Sequence, residues 1–332
     1  MRRILVTKSI LWFIVGAAAM VAVFRFWKGL GATSALTDLT PWGFWIGFDV
    51  MAGVALAAGG FVVAAVVYVF HRQRYRAIAR PAVLTAFLGY LAVVFALLVD
   101  LGLPWNIFNM IVYWNPRSPL FEVGWCVMLY STVLALELGP VVLESTRNAT
   151  LKRVYGGLKK ATIVLVVIGI GLSTLHQSSL GSLFLIMPHR LHPLWYTPIL
   201  PVLFFVSAVC LGVSMVTLEA SVSSWLYRRK PEGEILAGLG KGAAVVLWLY
   251  AALKLGDLAV RGQLGTLLAG SFSANLFLVE LTLAPLLPAL LFSLPAVRRS
   301  PAYLAVAAFL GVAGVVLNRL DVGGLAMIET TG

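Results

Sequence analysis

The sequence has few charged residues, few histidines and only two cysteines. Of its 332 residues 11% are charged, whereas soluble domains carry about 25%. This shortage excludes a water-soluble enzyme. Cys126 and Cys210 lie far apart in apolar stretches without a CxxC spacing, which argues against a disulfide framework and against a cysteine-ligated metal or iron–sulfur site.

Long apolar runs make up most of the sequence, and 61% of the residues are hydrophobic. A membrane-spanning helix needs about 20 mainly apolar residues. Nine runs reach this length: 8–27, 43–70, 82–101, 120–143, 158–177, 195–226, 235–258, 274–294 and 301–318. The sequence therefore predicts an all-α membrane protein with about nine transmembrane helices. The first run also resembles a signal peptide, but it continues to Trp27 without a convincing cleavage site.

The basic residues predict the orientation in the membrane. With the N terminus in the cytoplasm, 17 of the 25 Lys and Arg fall on the cytoplasmic side, six outside and two within spans. Such a bias is typical of cytoplasmic loops, so the net charge of +12 indicates a multi-pass protein of the cytoplasmic (inner) membrane rather than one that binds nucleic acid. The outer loops are longer and rich in Pro, Trp, Asn, Ser and Gly, and we expect a docked partner there.

A faint internal repeat relates spans two to five with spans six to nine. It predicts one integral membrane domain over 1–332, with a peripheral first helix at 8–27, a four-helix bundle at 43–177 and a second one at 195–318. Span two carries small residues at mostly four-residue spacing, which favours close helix packing. They are Gly43, Gly47, Gly53, Ala57 and Gly60.

Inserting an ionisable side chain at the centre of the bilayer costs about 2.5–3.5 kcal/mol, so such residues are functional candidates by default. Nine lie in or at the edges of spans: Asp49, Asp100, Glu122, Glu137, Glu219, Lys241, Lys254, Asp257 and Glu280. Lys254 and Asp257, three residues apart, are expected to pair on one helix. We expect Lys241 to snorkel to the inner surface. Asp49, Glu122 and Glu137 have no local basic partner, which favours a role in binding protons or ligand.

The histidines bear on the cofactor question. A haem-carrying membrane cytochrome needs paired histidines at matching depths, but His71 stands alone at the inner surface. An outer haem through two of His176, His189 and His192 is disfavoured, because the last two lie in a loop that contains proline. The sequence predicts no haem, iron–sulfur cluster or other metal in this chain.

Several strings resemble the NrfD/PsrC family of polysulfide-reductase-type membrane subunits, in particular its HybB-like branch, found in periplasmic nickel–iron hydrogenases and related respiratory complexes. The most specific are PWG-x-W-x-x-FD, ending at Asp49, and LHQSSLGSL, which begins at Leu175. The others are Gly31-Ala32-Thr33, Leu120-Phe121-Glu122-Val123, Glu137-Leu138-Gly139-Pro140 and Leu191-His192-Pro193-Leu194-Trp195. Family members usually continue into a further span, so the chain is a truncated or variant member or the count misses one.

The resemblance implies a haem-free helical bundle that exchanges electrons between a menaquinone or ubiquinone pool and a periplasmic ferredoxin-like iron–sulfur subunit. That subunit would exchange electrons with a catalytic or multihaem cytochrome subunit. By motif match, the quinone pocket would lie near the outer surface and include His176, Gln177, Asp49 and Trp42. Glu122 matches the family's glutamate associated with proton handling.

Protons from the cytoplasm could reach such a site through Glu137 and Glu219, which lie towards the inner ends of their spans. Quinone chemistry at the outer side would then move protons without moving electrons across the membrane. Two other functions stay open: a proton-coupled secondary transporter, which buried carboxylates and repeats also suit, and a passive membrane anchor for a redox complex.

Overall fold

The computed structural model describes residues 2–34, 36, 43–230 and 232–331. Within this part of the chain, nine helices are long and apolar enough to cross a membrane, and no strand occurs. The predicted all-α fold with nine spans is therefore confirmed. The helices are α1 (Arg2–Lys28), α2 (Phe44–Val69), α3 (Gln73–Asp100), α4 (Pro119–Leu143), α5 (Ala149–Leu185), α6 (Leu200–Tyr227), α7 (Gly233–Val260), α8 (Phe272–Ser293) and α9 (Pro301–Gly323).

The fifth helix is much longer than its apolar run of 158–177. It begins after Asn148, whose side chain accepts hydrogen bonds from the Thr150 and Leu151 amides, an N-cap that starts a helix in polar sequence. It also continues eight residues beyond the predicted outer end. A hydropathy window detects only the part that lipid covers, so it cannot report helical turns that extend into water or into a packed interior.

Two groups of helices pack around one another. Helix α2 contacts α3 and α5, and α4 contacts both α3 and α5; in the second half, α6 contacts α7 and α9, and α8 contacts α7 and α9. Helices α2 and α6 cross at the centre of the molecule, and α2 also packs on α9. The internal repeat itself stays a prediction.

Small residues set the closest approaches of α2, as its glycine pattern predicts. A Cβ on Gly212 of α6 would lie 2.9 Å from the backbone at Ala58 and Gly59, and a Cβ on Gly323 would lie 3.1 Å from the Gly47 Cα. Gly60 packs against Ala86 of α3 in the same way. Such contacts are possible only without side chains at the crossing point.

Helix α1 lies outside these two groups. Near its ends it contacts the rest of the protein through two arginines: Arg3 donates to the Trp225 carbonyl at 3.3 Å, and Arg25 donates to the end of α3. Most of the apolar side chains between them, such as Trp12 and Phe13, are exposed. In a membrane, this helix presents its apolar surface to lipid.

The end of the protein that carries the N terminus and the basic loops is called the inner end, and the opposite end is called the outer end.

Candidate functional site

Two aspartates meet at the outer end of the first helical group. Asp49 lies in α2 and Asp100 is the last residue of α3, and both are buried. Their carboxyl groups lie close enough to interact with each other. Oδ1 of Asp49 accepts from the Val50 amide at 2.7 Å, while Oδ2 of each aspartate has no donor among the described residues. Two carboxyl groups can bond to each other only through a proton held on one of them, so this pair is suited to binding a proton.

The backbone at Asp49 is unusual. Gly47–Gly53 forms a π-helical segment within α2, and Thr282–Leu286 forms another in α8 around Pro285. Such segments are rare inside α-helices and frequent at functional sites. The additional residue per turn changes the direction of the side chains that follow, and here the segment begins two residues before the buried carboxyl group.

A buried arginine completes the outer acidic pair. Arg25 of α1 donates from Nε to the Val99 carbonyl at 2.6 Å and from Nη2 to the Leu101 carbonyl. A cation at a helix C terminus satisfies free carbonyl groups and interacts favourably with the helix dipole. Its charge lies close enough to Asp100 to interact with that carboxyl group. Arg25 is one of the six basic residues predicted to lie outside, but it is buried, and its position among apolar residues near the end of α1 is a signal of that burial.

A second polar centre surrounds His176 of α5, which is fully buried and contacts Tyr90 of α3. Its Nδ1 lies 3.1 Å from the Leu172 carbonyl, which can only accept, so this nitrogen carries the proton of a neutral ring. Nε2 is then the acceptor, with Tyr90 Oη at 2.7 Å and the Gln177 amide nitrogen at 3.2 Å. Tyr90, which no sequence motif indicates, therefore orients the imidazole.

Unpaired polar atoms surround this histidine. Tyr130 Oη, Ser173 Oγ and Gln177 Oε1 are buried, and none has a hydrogen-bond partner among the described residues. The Tyr130 ring packs edge-on against Tyr90, with centroids 4.8 Å apart. Buried polar groups in proteins are almost always satisfied by protein, water or ligand. This group of five side chains, which we call the histidine centre, can therefore receive a small polar molecule or water.

The two centres lie at different depths. Asp100 and Tyr90 are ten residues apart on α3, which is about 15 Å of helix rise. Because α5 continues to Leu185, His176 does not close its span at the outer surface but lies well inside it. The structure brings together His176 and Gln177 of the predicted quinone pocket, and pairs Asp49 with Asp100. Trp42, the fourth predicted residue, lies outside the described residues.

The predicted proton-pathway glutamates occupy three different environments. Glu122 is exposed near the outer end of α4, and Glu137 is half-buried on the same helix, next to Gly169 of α5. Glu137 is also close enough to Tyr130 for their charges to interact. Glu219 accepts from Thr85 Oγ1 at 2.7 Å and lines a cavity of about 230 Å³ at the inner end of α3, α6 and α7.

The second helical group contains a buried charge network of its own. Lys254 of α7 pairs with Glu280 of α8, whose carboxylate also accepts from Asn318 at 3.0 Å and from the Trp195 indole at 2.5 Å. The expected pairing of Lys254 with Asp257 is therefore wrong. Asp257 instead pairs with Arg261 at 2.7 Å, four residues along the helix.

Arg319 extends this network. It is fully buried and donates to the Phe204 carbonyl at 2.9 Å and to Ser207 Oγ at 2.8 Å. Asp321, two residues away, is buried with no hydrogen-bond partner for either oxygen among the described atoms. Arg319 is another of the six basic residues predicted to lie outside, and that prediction is wrong, because α9 continues to Gly323. With Arg25 and Arg319 buried, the outer loops carry even fewer basic residues than expected.

The loop before α6 reaches the same network. Trp195, the last residue of the Leu191-His192-Pro193-Leu194-Trp195 string, is buried and donates from its indole nitrogen to Glu280. His192 donates its backbone N–H to the Ala326 carbonyl at 3.0 Å, and its Nε2 lies 4.0 Å from the Glu329 carboxylate. Burial lowers the pKa of His192, and the neighbouring carboxylate opposes that shift.

The nine apolar helices and their buried polar centres define a multi-pass integral membrane protein. A family model described as "Polysulphide reductase, NrfD" matches residues 32–323. The chain belongs to this NrfD family.

Three relatives are similar over most of their length. A protein of Nitratidesulfovibrio vulgaris is 43% identical over 312 residues, which cover 91% of this chain and 79% of the relative. The probable Ni/Fe-hydrogenase 2 b-type cytochrome subunit of Escherichia coli is 32% identical, covering 95% and 81%. The integral membrane subunit of menaquinone reductase from N. vulgaris is 29% identical, covering 88% and 74%. A location in the cytoplasmic membrane agrees with these relatives.

Proposed function

We propose that this chain is the haem-free membrane subunit of a respiratory redox complex. It would exchange electrons between a menaquinone or ubiquinone pool and a ferredoxin-like iron–sulfur partner outside the cytoplasm. The histidine centre carries the proposal, because it places donors, acceptors and unpaired polar atoms together inside a helical group. The menaquinone reductase relative supports the quinone class, and the hydrogenase relative supports a multi-subunit assembly.

Quinone chemistry requires two electrons and two protons at two carbonyl oxygens. In the proposed site, Tyr130 and Ser173 are free to donate hydrogen bonds to such oxygens, and Gln177 Oε1 is free to accept from a hydroxyl group. Neutral His176 accepts a hydrogen bond from Tyr90 at Nε2 and carries its own proton on Nδ1, which orients the ring towards the unpaired polar atoms. The Asp49–Asp100 pair would hold the proton that this centre gains or releases. Trp42, two residues before α2 in the sequence, is the fourth residue that we propose for the quinone site.

The positions of the histidines support the absence of haem. Of the four histidines, only His176 lies within a membrane-spanning helix, and its imidazole nitrogens already bond to Leu172 and Tyr90. A haem held by two histidines needs a second one at the same depth on a facing helix. Because the E. coli relative is named a b-type cytochrome subunit, haem content is the sharpest first test.

The test is to purify the chain from its membrane in mild detergent, together with any subunits that stay bound to it. We expect no reduced-minus-oxidised haem signal from this subunit, together with a co-purifying iron–sulfur protein and quinone. Stoichiometric haem bound to the isolated subunit would contradict the proposal. An iron–sulfur partner without quinone would indicate a passive anchor, and a lone subunit with substrate-dependent uptake would indicate a transporter.

We further propose that protons reach the quinone from the inner side through Glu219 and Glu137, and that Glu122 exchanges protons near the outer surface. Glu219 lines the cavity at the inner end, and Glu137 lies beside Tyr130 of the histidine centre. Three hydroxyl groups that have no partner among the described residues, on Tyr130, Ser173 and Ser214, lie between the inner and outer ends and can hold water.

Glu137→Gln and Glu219→Gln test this route in liposomes that contain the whole complex. We expect either change to abolish charge translocation while electron transfer to quinone in an uncoupled assay continues. Glu144→Gln is the matched control, because Glu144 is exposed and paired with Arg80 at 3.6 Å. Full turnover and full translocation in the double variant would contradict the route.

A further inference from the structure

A groove opens at the inner end of the protein between α6 and α9. It has a volume of about 380 Å³, and most of its wall is apolar, including Val222 and Trp225 of α6 and Ala302 and Ala305 of α9. This volume falls within the range of about 300–1,000 Å³ that is usual for small-molecule sites. Among the described residues that line it, Arg229 is the only charged one.

The surroundings of the groove are basic. Arg3 of α1 lies at its rim, with its guanidinium 4.7 Å from the centre of the Trp225 ring. Arg299, which is exposed, precedes α9 by two residues, and Arg228 ends α6 in a left-handed conformation with φ 54°. Glu219 and Glu232 line a separate cavity, which Arg229 also lines, and neither acid lines the groove itself. An anion in the groove would therefore be attracted by arginine, and no carboxylate among the described lining residues would repel it.

Apolar walls with an arginine at the mouth match the chemistry of one membrane component. An acyl chain would lie on the apolar wall, and a phosphate would accept hydrogen bonds from the planar guanidinium, which suits phosphate geometry. Basic sites between helices at this membrane face are a known basis for recognition of anionic headgroups. A free phosphate shares the headgroup chemistry but leaves the apolar wall uncovered.

We propose that the groove between the inner ends of α6 and α9 binds an anionic phospholipid, whose phosphate is held by Arg229 and Arg3. The lipid also has a structural role. Arg3 belongs to α1, which contacts the other helices mainly near its two ends. A phosphate shared by Arg3 and Arg229 fastens the inner end of α1 to α6. This inference does not depend on the quinone proposal.

The experiment uses the full chain, delipidated in a non-ionic detergent, and native mass spectrometry with added phosphatidylglycerol, phosphatidylcholine or inorganic phosphate. We expect one phosphatidylglycerol molecule to bind and to stay bound during collisional activation in the mass spectrometer. Phosphatidylcholine should bind at least tenfold more weakly. Arg229→Gln should weaken phosphatidylglycerol binding by about tenfold, as the loss of one charge-assisted hydrogen bond predicts. Arg153→Gln, an exposed charge on the inner part of α5, is the control and should bind normally.

A second variant tests the acyl-chain contact without removing charge. Ala305→Phe fills the groove and should weaken phosphatidylglycerol binding while Arg229 stays in place. Circular dichroism and gel filtration establish that each variant is folded. Equal binding of both lipids, or phosphatidylglycerol binding that Ala305→Phe leaves unchanged, would overturn the proposal of a lipid site.

Discussion

Replacing Asp49 by Asn is expected to lower quinone-linked turnover by about 10²-fold, the lower end of the range for removal of a general acid–base group. Asparagine keeps the size of the side chain and can still hydrogen-bond to Asp100, but it cannot carry the exchangeable proton. The measurement is the rate at which the purified complex reduces or oxidises a water-soluble quinone analogue. The Michaelis constant should change much less than the turnover number, since the histidine centre lies deeper along α3.

Asp100→Asn should have a similar effect, and the double variant should be little worse than either single one. Groups that act as a unit lose their function together, so the two effects are not additive. Glu144→Gln serves as the control for removal of an exposed carboxylate. Normal turnover in Asp49→Asn, or losses in the two single variants that multiply in the double one, would show that the aspartates do not share one proton.

Removing the buried cation of the second helical group is expected to have the largest effect on stability. Lys254→Met leaves Glu280 buried with only Asn318 and Trp195 as partners. Breaking one side of a buried ion pair typically costs about 3–5 kcal/mol, because an uncompensated charge stays inside. The free energy of unfolding in mixed detergent micelles measures this loss. The double variant Lys254→Met/Glu280→Gln should recover a large part of it.

The exposed pair of Arg80 and Glu144 provides the comparison. Its side chains are 68% and 56% exposed, and its nearest atoms are 3.6 Å apart. Such surface pairs contribute about 0–1 kcal/mol, so Arg80→Gln should scarcely change the free energy of unfolding. If Lys254→Met were no more destabilising than Arg80→Gln, the network would be solvated rather than buried.

The sequence was sufficient to predict the fold class, since every span is a run of apolar residues that lipid can cover. It also predicted the small-residue face of α2, because Gly spacing on one helix is a local property. Helix ends were less predictable. Residues 149–157 of α5 are more polar than a membrane segment, yet they are helical, and the Asn148 cap starts the helix there.

The candidate site was only partly predictable. Single acids stand out within apolar runs, so Asp49, Glu137 and Glu219 could be selected from the sequence. Their partners are remote in the chain: Thr85 and Glu219 are 134 residues apart, and Tyr90 and His176 are 86 apart. Spacing along one helix even gave the wrong partner for Lys254, because Glu280 on the neighbouring helix offers a closer carboxylate. Only the packing of helices decides such pairings.

The length of α5 has a practical consequence for establishing which face of the bilayer each loop occupies. Its 37 residues measure about 55 Å, roughly 25 Å more than the hydrocarbon layer is thick. A methyl group added at Gly156 or Gly157 would meet nothing within 4 Å. Both native thiols are buried. A Gly157→Cys substitution thus provides a clean attachment point for impermeant reagents, and the vesicle orientation in which it reacts reports the sidedness of the whole polypeptide.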